Sequence, residues 1–207
     1  MTDIERPGIL KMLGTVPVAG LALSPAEALA AQEGAKGAVA AAKKGVPFAP
    51  KFFTAHEWST VRILADLVIP KDERSGSATD ALVPEFMDFA MTDPLIGERD
   101  REGRQTAMRG GLAWLDLECQ DRFGKTFVDV SESERTQVLD DIAYPEKAKD
   151  KPALRPGVRF FSSFRDLTAT GFWSSKMGVE DLQYMGNTYV AEWKGPPAEV
   201  LKKLGLS

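Results

Sequence analysis

The chain is poor in the side chains that enzymes most often use. Its 207 residues include one cysteine, Cys119, and one histidine, His56. A single thiol closes no internal disulfide, and neither a cysteine–histidine zinc site nor a cysteine-ligated iron–sulfur cluster can be assembled from it. Basic side chains are in deficit as well: 26 Lys and Arg stand against 30 Asp and Glu, giving a formal charge of -4 and a pI near 5.2. That balance lacks the basic face by which nucleic acid is usually held. No apolar run approaches the ~20 residues needed to cross a bilayer. Phosphate-binding loops are missing too. Gly110-Gly111 sits inside a helical pattern with no strand before it, and Gly124-Lys125 lacks the upstream glycine of a Walker loop. Without a strand–helix–strand crossover, no self-contained flavin or nicotinamide site is expected.

Strict apolar–polar alternation never extends beyond about four residues, and no internal repeat is visible, so strands give way to helices as the organising element. From Phe52 onward helical signals dominate. Thr54-Ala55-His56-Glu57 reads as a capping box, followed by Trp58, Val61, Leu64, Ala65 and Val68 at helical spacing up to Pro70. Residues 71–82 are charged and Gly/Ser-bearing, a surface loop. Pro84 opens a second helix, with Phe86, Met87, Ala90 and Met91 as its buried stripe. A long third helix spans about 99–123, carrying Met108, Leu112, Leu115, Cys119 and Phe123, with Gly124 placed for a left-handed cap. Ser131-Glu132-Ser133-Glu134 caps a fourth helix reaching Ala143. After a Lys/Pro-rich loop a fifth carries Val158, Phe161, Phe164, Leu167, Thr168 and Phe172. Phe160 falls on another face, so this helix should meet apolar surroundings on two sides. The expected fold is all-α, a compact bundle of five to six short helices.

The amino-terminal 30 residues read as an export signal. Arg6 and Lys11 precede an apolar, small-residue stretch over residues 12–23, and Ala28-Leu29-Ala30 fits the small-x-small pattern of a cleavage site. Arg6-Pro7-Gly8-Ile9-Leu10-Lys11 resembles a twin-arginine motif with Pro7 in place of the second arginine, a departure that bears on the export route. The expected location is periplasmic, or cytoplasmic should the signal not function. Residues 31–50 are Ala, Gly and Lys with little apolar bulk to offset the ~1–2 kcal/mol per residue lost on ordering the backbone. They read as a tail, mobile in isolation and able to order along a partner. Residues 51–207 form the helical domain.

Little in this body suggests chemistry. His56 lies in a helix cap and Cys119 on a core stripe. The neighbouring carboxylates Asp72 and Glu73, Asp116 and Glu118, and Asp140 and Asp141 diverge on a helix and so cannot converge on one substrate. Two carboxylates from distant segments would leave no local signature, so a stand-alone periplasmic hydrolase or binding module remains the alternative reading. The last fifty residues are the conspicuous part. Phe160, Phe161, Phe164, Phe172, Trp173, Tyr184, Tyr189 and Trp193 fall among Gly171, Gly178, Gly186, Gly195 and Pro196-Pro197. Aromatic rings on an irregular segment suit a protein interface, because Trp and Tyr bury large areas with two side-chain torsions to freeze. The same coil can equally close the open side of its own bundle. Phe172, Trp173, Tyr184, Asn187, Tyr189, Trp193 and Pro196 mark the expected contact neighbourhood, with the 71–82 loop as a second.

Several separated motifs then agree in order: F-T-A-H-E-W, L-A-D-L-V-I-P-K-D-E, V-P-E-F-M-D, R-G-G-L-A-W-L-D, R-F-G-K-T-F, and the run from FFSSFRDLTATGFWSS through DLQYMGN to EWKGPPAEVLKKLGL. Together they resemble gluconate 2-dehydrogenase subunit 3 proteins, the small or gamma subunits of bacterial FAD-dependent sugar dehydrogenases, over about residues 52–206. The resemblance implies a non-catalytic small subunit with no cofactor of its own. It implies FAD in a large partner of the glucose–methanol–choline oxidoreductase type, and in some complexes a cytochrome c subunit as well. The small subunit would stabilise, help fold and help export that partner, which oxidises sugars or glycosides.

Overall fold

The computed structural model describes residues 24–42, 48–93, 98–146, 148–184, 192 and 195–206. Among these, the secondary structure is helical with no strand. The helices are α1 (Pro25–Ala42), α2 (Ala55–Val68), α3 (Val83–Thr92), α4 (Glu98–Phe123), α5 (Glu132–Ile142), α6 (Arg155–Trp173), α7 (Lys176–Asp181) and α8 (Ala198–Lys203), with a 3₁₀ turn at Pro152–Leu154. The all-α expectation holds.

Local chemistry sets most of the helix ends. Thr54 and Ser131 each form the expected capping box, with Glu57 and Glu134 reaching back to the cap amides. Gly124, at φ +73°, ends α4 in the left-handed region, which a residue without a Cβ enters at no cost.

Helix α6 is the axis of the domain: α1 through α5 and α7 all pack against it. Phe160, Phe161, Phe164, Leu167 and Phe172 are buried on it, and they do cover two faces. Its contact with α4 is reciprocal. Gly111 of α4 lies under the Phe160 ring, and Gly157 of α6 lies under the indole of Trp114, so that a Cβ at either glycine would overlap the ring above it. Each helix thus offers a hole where the other offers a knob.

Residues 31–42, read as part of a tail mobile in isolation, are helical. Helix α1 crosses the expected boundary between leader and tail and lies mainly along α3. It opens with a capping box that the sequence does contain. The Ser24 amide donates to Glu27 Oε2 at 2.6 Å, and the Glu27 amide donates to Ser24 Oγ at 3.3 Å. The lack of bulk that argued for disorder is what permits the fit, because Ala31 is fully buried and Gly34 tucks under the ring of Phe89.

Two buried acids on α3 behave differently. Asp88 accepts the backbone amides of Lys51, Phe52 and Phe53. Glu85 is buried with Oε2 lacking a hydrogen-bond partner among the described residues. Burial raises its carboxyl above the ordinary range; its own amide and the Arg62 charge oppose this, and the Asp88 charge adds to it. A raised pKa in the folded state means that this group's contribution to stability is present below the unfolded pKa and is lost as pH rises through the folded one. Glu85→Gln, which keeps the shape and removes the ionisation, is therefore expected to stabilise the domain at pH 7 but not at pH 4. Urea midpoints at the two pH values check this, and an equal shift at both would contradict it.

Candidate functional site

The side chains with chemical potential are occupied in holding the fold. His56 Nε2 lies 2.6 Å from Asp116 Oδ2, while Asp116 Oδ1 accepts the Phe127 amide at 2.9 Å. This pairing, not visible in the sequence, latches the start of α2 to α4 and to the turn that follows α4. Cys119 is buried, and burial, with the Asp116 charge adding to it, lifts its thiol to about 11. So little thiolate forms near neutrality that the side chain acts as a packing group.

Asp116 and Glu118 serve different partners, His56 and Arg122. Glu118 and Asp141 both hold Arg122, at 2.6 and 2.7 Å, and Lys151 lies 3.6 Å from Asp141. Asp72 accepts the Arg74 and Ser75 amides, each at 2.8 Å, and these bonds hold its carboxyl below the ordinary range. No group of three or more metal-ligating side chains gathers among the described residues. An open concavity of about 410 Å³ is lined by Pro145, Ala148, Lys149, Arg155, Val158 and Arg159; it presents cations and apolar surface without an acid or a nucleophile. Among the described residues, no helix is long and apolar enough to cross a membrane.

The feature that stands apart is at the other end of α6. Phe172, expected both on the apolar stripe of this helix and in the contact neighbourhood, is fully buried and belongs to the core. Its neighbour Trp173 turns outward, 39% exposed, with its ring edge-on to Phe172 at 5.0 Å and 88°. The buried ring fixes the exposed one. Ser175 then makes a sharp corner: its hydroxyl donates to the Phe172 carbonyl at 2.6 Å and accepts the Gly178 amide at 3.1 Å. A Cβ at Gly178 would meet the Phe172 carbonyl, so only glycine lets α7 back this closely onto α6. Helix α7 leaves Val179 and Leu182 on the surface. Gln183, at φ +54°, then turns the chain so that Tyr184 stands out 63% exposed. Trp173, Val179, Leu182 and Tyr184 thus form a short run of exposed apolar side chains. Val179 and Leu182, spaced i,i+3 after a serine cap, were legible as a small amphipathic helix but were passed over.

The 71–82 loop meets this same end. Arg74 Nη2 donates to the Asp181 carbonyl at 2.6 Å and lies 3.2 Å from the Asp181 carboxylate. The Thr79 amide donates to Asp66 Oδ1 at 2.7 Å, and Ser77 and Asp80 exchange amide-to-side-chain bonds, so the loop is pinned along its length. Two segments that the sequence reading kept apart are therefore joined at one end of the molecule. Pro196 is exposed ahead of α8, whose Val200 and Leu204 also face outward. Asn187, Tyr189 and Trp193 lie outside the described residues. Ala28 and Ala30, the expected cleavage motif, lie inside α1.

Comparison with known proteins gives one family. Neither the curated proteins nor the solved structures searched provide a match. A family model described as Gluconate 2-dehydrogenase subunit 3 matches residues 55–193, from the first turn of α2 past the exposed end of α6 and α7. That span takes in the capped helices, the meshed α4–α6 pair and the pinned loop, and it covers well over half of the chain. The chain therefore belongs to the gluconate 2-dehydrogenase subunit 3 family, the small subunits of dehydrogenase complexes.

Proposed function

We propose that this chain is a non-catalytic small subunit that stabilises and helps fold the FAD-carrying catalytic subunit of a sugar or glycoside dehydrogenase. A large subunit of the glucose–methanol–choline oxidoreductase type is the partner this reading names. A cytochrome c subunit is a further member in some assemblies. Co-export follows if the leader operates, with the small subunit carrying the partner to the periplasm.

One observation carries the reading. Trp173, Val179, Leu182 and Tyr184 are held outward by a rigid support, beside a loop tied to the same helix by Arg74. Exposed aromatic side chains on a fixed scaffold suit tight association, because little ordering remains to be done on binding. The alternative of a stand-alone hydrolase or binding module finds no comparable support, since Asp72 serves a turn and Asp116, Glu118 and Asp141 are held by His56 and Arg122.

The test is co-expression with the cognate flavoprotein. Trp173→Ala is expected to lower the flavoprotein recovered on the tagged small subunit at least ~10-fold, as for a central aromatic anchor worth about 2 kcal/mol or more. The thermal midpoint of the isolated small subunit should fall by no more than about 5 °C, the cost of the edge contact with Phe172, so the chain stays folded. Full recovery of the flavoprotein with Trp173→Ala,Tyr184→Ala would remove this face as the docking site.

A further inference from the structure

Helix α1 contains the Ala28-Leu29-Ala30 motif, and the contacts it makes leave no room for a cut there. We infer that helix α1 stays on the mature chain and that any leader is removed by hydrolysis of a peptide bond upstream of Ser24. The motif places the scissile bond between Ala30 and Ala31, in the second turn of an 18-residue helix, with Ala31 fully buried. Peptidases act on extended, accessible backbone. Here the helix would have to open and lift off α3 before the bond could be reached.

The residues that such a cut removes also hold the body together. Arg104, on α4, is 8% exposed, and its Nη2 donates to both carboxylate oxygens of Glu27, at 3.1 and 3.2 Å. Its Nη1 is buried and has no hydrogen-bond partner among the described residues, so Glu27 is the one carboxylate seen to answer this guanidinium. Burial works against the charge on Glu27. The Ser24 amide and hydroxyl, and then Arg104, outweigh it and hold the carboxyl below its ordinary range. Cleavage after Ala30 would discard Ser24 and Glu27 together and deprive Arg104 of the carboxylate that holds its guanidinium.

Further along the helix, Gln32 Nε2 donates to the Gly171 carbonyl at 2.9 Å and to Ser174 Oγ at 2.8 Å. These two residues flank Phe172 and Trp173. Helix α1 is therefore a strap, tied to α4 through Glu27 and to the outer end of α6 through Gln32. Its second tie braces the end proposed above to dock the catalytic subunit, and this bracing part alone rests on that proposal.

The test uses the full-length gene, expressed with the flavoprotein. Intact mass and amino-terminal sequencing of the recovered small subunit should place its first residue at or before Ser24; a first residue at position 25 or later overturns the inference. A second measurement is independent of any partner. If Glu27 is retained, Glu27→Ala should lower the thermal midpoint of the recovered chain by about 10 °C, and Glu27→Gln, which keeps one acceptor oxygen, by less. If Glu27 is cut away in the cell, neither substitution changes the mature protein, and an unchanged midpoint sinks the idea. Should Trp173→Ala leave flavoprotein recovery intact while Glu27→Ala still destabilises the chain, the docking reading falls and the retained helix stands.

Discussion

Asp88→Ala is expected to cost about 4 kcal/mol of folding stability, one of the two largest losses anticipated from a single change in this domain. Asp88 is 2% exposed, and no ion pair to it is seen among the described residues. Its carboxylate takes backbone amides: Oδ2 accepts the Lys51 amide at 2.9 Å, and Oδ1 accepts the Phe52 and Phe53 amides at 2.9 and 3.2 Å. Those amides set the course of the chain into α2. They position Phe52 edge-on to Phe53 at 4.9 Å and beneath the Arg109 guanidinium at 4.6 Å, while Arg109 Nη2 donates to the Phe52 carbonyl. Alanine strands the buried amides of Phe52 and Phe53, each at a cost of about 1–3 kcal/mol, and loosens both rings. Asparagine keeps one oxygen but turns an NH₂ toward a donor, so Asp88→Asn should lose roughly half as much. Urea unfolding of the three proteins measures the series. A loss below about 1 kcal/mol for Asp88→Ala would show that these bonds do not hold the segment.

The second large effect is a change of sign. In an ordinary helix interior Gly→Ala gains up to about 1 kcal/mol. At Gly111 the new methyl overlaps the Phe160 ring, so Gly111→Ala should instead cost about 1–3 kcal/mol by forcing that ring from its seat. In a Phe160→Ala background the obstruction is gone, and the same substitution should become neutral or favourable. The non-additivity of this double-mutant cycle is the readout. Equal effects of Gly111→Ala in both backgrounds would mean that the two helices do not mesh at this point.

What could be read from sequence was mostly what is decided within a few residues. The Thr54 and Ser131 boxes, the left-handed Gly124 and the buried stripes of α3 and α4 all depend on spacing along one helix, and they stand as expected. What escaped depends on two distant segments meeting. Nothing near Gly111 in the chain marks it as the groove that Phe160 fills. Nothing near Asp88 marks it as the acceptor over which the 51–53 backbone folds.

Helix α1 was misread for a subtler reason. Counting bulk is a fair guide to whether a segment can bury enough to order itself, but it fails where small residues let a helix sit unusually close to its neighbour, as Ala31 and Gly34 do. The Ser24–Glu27 cap was the local signal that should have weighed against disorder. In the expected contact region Trp173 and Tyr184 are exposed, while Phe172, whose spacing already set it on the apolar stripe of α6, points inward: adjacent residues at a helix end share a composition but not a face.

The position of α6 as the common neighbour of α1 through α5 also bears on biosynthesis. The ribosome delivers it late: α1 ends at Ala42, and α6 does not begin until Arg155. At about 5–20 residues per second, the nascent chain waits on the order of ten seconds between them. Five helices are meanwhile made without the element that joins them, so the surfaces they turn toward α6 stay uncovered until the carboxyl-terminal quarter emerges. Folding of this subunit is accordingly a post-translational event with long-range closure, and a premature stop ahead of residue 155 would release a sticky fragment in place of a smaller domain.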